Sequence, residues 1–277
     1  MILWPAVAFS RRWNSARSQT SLAKPASLPN HGLTLEMNSV SQFGEDILLW
    51  EHFHKKTDGF FVEVGANHPT ECSQTWLLEQ HGWKGVLVEP LLNKAELLRR
   101  HRPGSQVFQV AIGAPEQRGR RQFIVAAGSD TYSGLVLNDG VFVERVDEVE
   151  VRTLDDVLAE AGNPKLDYVS IDVEGVELQV LGGFNLERHR PGLVLIEDHL
   201  QHLSVHRHMV RHGYRLVKRT GCNSWYAPAQ ADFWLTNRGE KFQLWKEIWI
   251  DTPVRCVRFY LKRRLRRKRR RTEQLRA

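Results

Sequence analysis

Few residues in this chain are suited to a disulfide framework or a structural metal. The three cysteines, Cys72, Cys222 and Cys256, lie far apart, so neither a CxxC pair nor the four-ligand spacing of a structural zinc site is available. The thiols are expected to be reduced and inert, as in a cytosolic protein. Long apolar runs are also missing: nothing reaches the roughly 18 residues needed for a helix that spans a bilayer. No acid precedes Glu36, and the opening MILWPAVAF runs on into arginine and serine. With no basic region ahead of it, that apolar run is a poor secretory signal. Residues 1–37 are expected to be a disordered leader, or a start placed too early with Met37 as the true one. A mitochondrial-type leader is the lesser alternative, on its Arg/Ser-containing, acid-poor composition.

A chain of 277 residues, 42% hydrophobic and 26% charged, has room for one domain of roughly 200 residues plus appendages. Its net charge of +7 is unevenly placed. Residues 255–277 hold twelve Lys or Arg and one acid, a local +11, so the other 254 residues sum to −4 (7 minus 11). The basicity belongs to a tail, and the core is mildly acidic.

Along the chain, strand-like and helix-like segments take turns. SQFGEDILLWEHF (residues 41–53) has apolar residues at helical spacing behind a serine that can cap. GFFVEVGA (59–66) and GVLVEP (85–90) are short apolar runs of the kind that form buried parallel strands. A helix starting near Thr70, with Ser73 or a neighbour as its cap, is expected between them, and NKAELLRRH (93–101) is a helix after them. SQVFQVAIG (105–113) reads as a third strand. Residues 115–150 break the rhythm with Gly-rich polar sequence, expected to be an inserted hairpin or a flap. The next helix is capped by Thr153 or Asp155. LDYVSIDVEG (166–175) and GLVLIEDH (192–199) are core strands, then come a His-rich helix and two late strands, YRLVKR (214–219) and SWYAP (224–228). This alternation implies a doubly wound parallel sheet with an antiparallel finish.

In such a sheet, ligands bind beyond the carboxyl ends of the strands. Those ends carry Glu63, Glu89, Asp172, Glu174, Glu197 and Asp198, a ring that repels a pyrophosphate. The first loop, Glu63 to Pro69, has one glycine, Gly65, where a dinucleotide fingerprint uses three, and Pro69 has no N–H to offer a phosphate. A nicotinamide cofactor is disfavoured. A cationic sulfonium ligand with an amino-acid end and a ribose suits the geometry better. Glu89, 26 positions after Glu63, stands where a carboxylate can accept both ribose hydroxyls. The plain alternative is that Glu63 and Glu89 cap helices or pair with lysines.

The runs SQFGEDILLW, GFFVEVGANHP, CSQTWLLEQHGWKGVLVEP and LDYVSIDVEGVELQVLGGF resemble, in order and spacing, the FkbM-type methyltransferase family. The resemblance covers residues 41–228 and is most specific at Asp172 to Glu177. It implies a Rossmann-like class I methyltransferase fold: a mostly parallel seven-stranded sheet with helices on both faces and an antiparallel closing strand. It further implies S-adenosylmethionine as cofactor and a hydroxyl oxygen of a polyketide, sugar or glycan as acceptor. Carried over, Glu63, Gly65 and Asn67 would line the methionine part, Glu89 would hold the ribose, and Ala111 and Ile112 would flank the adenine. Gln42 and Asp46 would close the site. The sequence departs from many relatives at His68-Pro69, where they carry Asp-Gly or a similar flexible pair. On this reading residues 1–37 are leader, 38–230 the methyltransferase domain, and 231–277 an extension with a basic tail.

Methyl transfer to an alcohol needs positioning first and removal of the hydroxyl proton second. Asp172 or His199 is expected to be the base, with Glu174 orienting. A divalent ion held by Asp172, Asp198 and His199 is the less favoured route, and no metal is assigned. The other histidines of that segment, His202, His206, His208 and His212, are expected on a solvated helix. Glu177 is expected in the first turn of a helix, where its charge suits the dipole. Trp245 and Trp249, with Phe242 and Ile248 nearby, are expected to be core packing. For the tail, an anionic membrane surface, a plain solvated run and a nucleic-acid arm all fit the charge pattern, the last least well. The expected location is the cytoplasm, with peripheral contact at the inner membrane surface. Alternatives to the small-molecule methyltransferase are an RNA methyltransferase anchored by the tail and a non-catalytic cofactor-binding module.

Overall fold

The computed structural model describes residues 38–127, 133–135, 142–198, 200 and 203–258. The leader, His199, His202, part of the insertion and the basic tail from residue 259 lie outside the described residues. The chain enters through α1 (Glu45–His52) and alternates β1 (Phe60–Val64), α2 (Trp76–Gln80), β2 (Lys84–Val88), α3 (Leu92–His101) and β3 (Ser105–Phe108). A short β4 (Ala111–Ile112) leads to the hairpin β5 (Gly119–Ala126) and β6 (Val143–Arg152). Then come α4 (Leu154–Glu160), β7 (Tyr168–Ile171), α5 (Glu177–Gly182), α6 (Leu186–His189), β8 (Leu193–Glu197), α7 (Ser204–Arg211), β9 (Tyr214–Thr220) and β10 (Asn223–Pro228). The last element is α8 (Arg238–Lys246), which runs through a π turn at Glu247–Asp251 and on to residue 258.

Seven strands form the main sheet in the order β3-β2-β1-β7-β8-β10-β9. The neighbours from β3 to β8 are parallel, and β10 inserts antiparallel between β8 and β9. The central strands are buried on both faces, which is why they read as short, mostly apolar runs without strict alternation. On one face Val62, Val64, Val86, Val169 and Ile171 pack with Leu154, Val180 and Met209. On the other Phe61, Leu87, Tyr168 and Leu195 pack with Leu49, Leu78 and Leu98. Helices therefore cover both sides of the sheet.

Several expectations are corrected in detail. The third apolar run is two strands, because the chain turns at Gln109 and Val110 and β4 leaves the main sheet to pair with β6. The inserted hairpin is present as β5 and β6. Gly44, at φ 80°, stands at the N-cap of α1 while Ser41 Oγ accepts from the Asp46 amide at 3.3 Å, and Thr75 precedes a shorter α2 while Ser73 Oγ accepts from the Thr75 and Trp76 amides. Thr153 caps α4, in a reciprocal box with Asp156. His206 and His208 are half-buried, and burial lowers the pKa of both, so their helix is not simply solvated. The tryptophan stripe is also corrected. Ile248 is buried, but Phe242, Trp245 and Trp249 are 63%, 52% and 68% exposed.

Candidate active site

The order of the main sheet reverses between β1 and β7, and a cleft opens at the carboxyl ends of the strands there. Gly65, Asn67, Glu89, Ala111, Ile112, Asp172 and Glu174 line it. Gly65 is required by its surroundings: it sits at φ 86°, and a Cβ there would lie 1.9 Å from the Asp172 carbonyl oxygen. The loop after β1 and the end of β7 therefore meet backbone to backbone.

The loop amides are already engaged. Gly65 and Ala66 both donate to the Val88 carbonyl at 2.9 and 3.0 Å. Asn67 donates its backbone N–H to Glu89 Oε2 at 3.0 Å, and Leu91 donates to Glu89 Oε1 at 2.8 Å. Where a dinucleotide-binding loop offers N–H groups to phosphate, this one presents a carboxylate. Lys94, in the first turn of α3, donates to the Asn67 side-chain oxygen. Beyond Glu89, Val110, Ala111 and Ile112 form an apolar floor with Leu91, Phe123 and Leu135.

Acids dominate the other wall. Asp172, Glu174 and Glu197 each offer an oxygen, and these lie within 4.8 Å of one another. Burial, then the charges of Asp172 and Glu177, push the Glu174 carboxyl up to about 7. Burial likewise lifts Glu177 to about 7, although its carboxylate accepts from the Gly175 amide at 2.8 Å. Glu197 is raised by burial, opposed by its hydrogen bond to Asp172. Such a group holds protons and attracts cations, so it could also take a divalent ion. Glu174 has φ 56°, uncommon for a residue with a side chain, next to Gly175 at φ 99°. Backbone in that region costs about 1 kcal/mol or more and clusters at functional sites.

The residues expected from the sequence separate into two groups. Glu63 faces away from the cleft, fully buried on the α1 and α2 side of the sheet, where Thr75 Oγ1 donates to it. Arg102, 0% exposed, donates to Thr75 Oγ1 and to Glu79 at 2.9 and 2.7 Å. Burial raises the Glu63 pKa, and Arg102 pulls it back. Asp46 is buried and accepts from the Val40 and Ile47 amides and from the hydroxyls of Ser39 and Ser41, so it organises the entry to α1. Gln42 is exposed beside it. Asp198 accepts from the Leu200 amide, and His199 is outside the described residues. Lys94 and Phe123 also line the cleft, outside the residues that the sequence singles out. The position of Lys94 just after the second strand was a usable signal; Phe123 comes from the hairpin, with no local pattern to mark it.

An open doubly wound sheet with one antiparallel strand next to its edge, and an acid-lined cleft at the switch point, has the architecture of the Rossmann-like class I methyltransferases. The model of the Methyltransferase FkbM domain matches residues 63–216, over half of the chain, and the protein belongs to that family. Among solved structures, a precorrin-6y C5,15-methyltransferase from Geobacter metallireducens GS-15 is similar over 69% of this chain and 92% of its own. At 11% identity and a TM-score of 0.38, that likeness carries no residue roles. No curated protein matches the sequence.

Proposed function

We propose that this methyltransferase uses S-adenosylmethionine and transfers its methyl group to a hydroxyl oxygen of a sugar, a glycan or another small molecule. The observation that carries the cofactor reading is the engagement of the Gly65, Ala66 and Asn67 amides, with Glu89 in the position of an anion cradle. That arrangement suits ribose hydroxyls and a cation, and it disfavours a pyrophosphate. Glu89 would hold the ribose, the Val110–Ile112 floor with Phe123 the adenine, and Gly65 and Asn67 the methionine end. When bound, the cofactor supplies an electrophilic methyl on a positively charged sulfur.

The protein's own work is to hold the acceptor and to take its proton. A base works best with a pKa near the working pH, and Glu174, at about 7, is tuned in that way. Its carboxylate would receive the hydroxyl proton as the oxygen takes the methyl carbon, the sulfur–methyl bond breaking to leave a neutral thioether. Asp172, which helps raise Glu174, would orient the hydroxyl. Strand-end position in the sequence points to the opposite division of labour, with Asp172 or His199 as base and Glu174 orienting.

The test is calorimetric titration with S-adenosylmethionine and, separately, with NAD, with Glu89→Ala as control. Binding of the first that weakens by about 100-fold in the variant is expected from losing charge-assisted hydrogen bonds to two hydroxyls. Binding of NAD, or equal S-adenosylmethionine affinity in the variant, would overturn the cofactor reading. Methylation of a panel of amine, thiol and hydroxyl acceptors then tests the oxygen preference.

A further inference from the structure

The segment after β10 first attaches to the domain and then turns an apolar face outwards. Phe233 is buried against Trp225, the Thr236 hydroxyl donates to the Val217 carbonyl at 2.6 Å, and Lys218 donates to the Leu235 carbonyl at 3.0 Å. Asn237 then caps α8 in a reciprocal box with Glu240. Along the inner side Ile248 and Thr252 are buried. Along the outer side Phe242, Trp245, Trp249, Ile250, Val254 and Val257 are exposed among the described residues. The π turn at Glu247–Asp251 adds a residue to the turn and so shifts the phase of residues 252–258. A groove of about 370 Å³ runs under the helix between Leu216, Val217 and Ile248, and Trp245 and Trp249 line it. The apolar surface is thus continuous from groove to stripe.

The acids of this helix are answered by cations. Glu240 pairs with Lys218 at 2.7 Å, Glu247 with Arg219 and Arg255 at 3.6 and 3.4 Å, and Asp251 with Lys246 at 3.7 Å. Arg238, Lys241 and Arg258 are exposed on the same element. The sequence then continues for 19 residues with ten Lys or Arg and one acid. Two tryptophans and a phenylalanine on one side of a helix, bordered and succeeded by cations, match the chemistry of a bilayer interface: rings at headgroup depth, cations toward acidic lipid. A nucleic acid would use the cations and leave the stripe uncovered.

We propose that the exposed Phe242–Trp245–Trp249 face of α8 is a docking surface for an anionic lipid bilayer, toward which the charge of the cations that follow it in sequence draws the enzyme. The surface holds the enzyme at a membrane without crossing it, and none of the described helices is long and apolar enough to cross one. The inference is independent of the reading of the cleft.

The experiment is co-sedimentation of the full chain with vesicles of phosphatidylcholine alone and of phosphatidylcholine with about 30 mol% phosphatidylglycerol. A parallel series uses brominated lipid to quench tryptophan emission. At least tenfold tighter partitioning to the anionic vesicles is expected. Salt at about 0.5 M should weaken it, and Trp245→Ser with Trp249→Ser should weaken it at least tenfold and remove most of the quenching. Both positions are exposed, so unchanged circular dichroism should accompany that loss. Replacing the Lys and Arg of residues 262–271 by Gln should abolish the preference for anionic lipid. Equal binding to both vesicles, or anionic binding that ignores the tryptophan variant, overturns the proposal. So does a dimer in sedimentation equilibrium that the tryptophan variant dissociates while vesicles go unbound, or salt-steep RNA binding without vesicle binding.

Discussion

Beneath β1, Glu63, Thr75, Arg102 and Glu79 form a closed network in which the fully buried guanidinium answers both carboxylates. Across the same sheet, Glu89, Asp172, Glu174 and Glu197 gather at a cleft among backbone amides and other acids. Both regions begin from an acid at a strand end. In the first, the charge is compensated and the acid is part of the core. In the second, neighbouring acids add to burial in raising Glu174 and Glu197, whereas at Glu63 the Arg102 cation opposes burial. An acid at a strand end is therefore not enough to mark a site; its face of the sheet and its partners decide.

The largest expected effect comes from breaking the compensated region. Arg102→Ala leaves two buried carboxylates without their cation and should lower stability by about 3–5 kcal/mol, read as a shift of the urea midpoint. A loss under about 1 kcal/mol would mean that Glu63 and Glu79 are not held as described.

Next is Glu174→Gln, for which activity and stability should move in opposite directions. Turnover should fall by about 100-fold or more if this carboxylate accepts the proton. In the wild type, turnover should decline as pH drops below about 7, where Glu174 takes up a proton. The stability effect comes from the raised pKa. The folded state holds the Glu174 proton up to about pH 7, whereas the unfolded chain releases it in the ordinary carboxyl range. The group therefore favours folding at low pH, and that contribution is lost as pH rises through 7. Relative to wild type, Glu174→Gln should be more stable at pH 8, by about 1–2 kcal/mol after allowing for solvent screening, and the gain should vanish below about pH 5. A variant that loses activity and stability together would place Glu174 among the structural acids.

The smallest effect sharpens the contrast from the other side. Glu63→Gln keeps an acceptor for Thr75 and removes a charge whose burial is unfavourable. It should alter S-adenosylmethionine affinity by less than about twofold, a few tenths of a kcal/mol, in the same titration used for Glu89→Ala. A large loss would return Glu63 to the cofactor site.

The strands were legible because a buried parallel strand needs a short, mostly apolar run, as in residues 86–88 and 193–196. The cleft residues Gly65, Glu89 and Asp172 were legible because strand ends are where such sheets bind ligands. The face of Glu63 was not. Alternation puts it with Phe61 rather than with Val62 and Val64, but only the packed helices decide which face carries the cleft. Arg102 was hidden for a similar reason, since nothing in RRHRP separates one buried guanidinium from its exposed neighbours. The Trp245 and Trp249 stripe was misread because helical spacing marks a face without saying what covers it.

Strand β6 ties the inserted hairpin to the cleft floor through its backbone pairing. Val151 pairs with Gly119 of the hairpin on one side and with Ala111 of the cleft floor on the other. Hairpin and floor therefore share one ladder of hydrogen bonds, and whatever free energy a ligand on the floor adds to holding that ladder in register is felt by the hairpin. By reciprocity, an acceptor whose binding is tightened by a ligand on the floor must tighten that ligand's binding by the same factor.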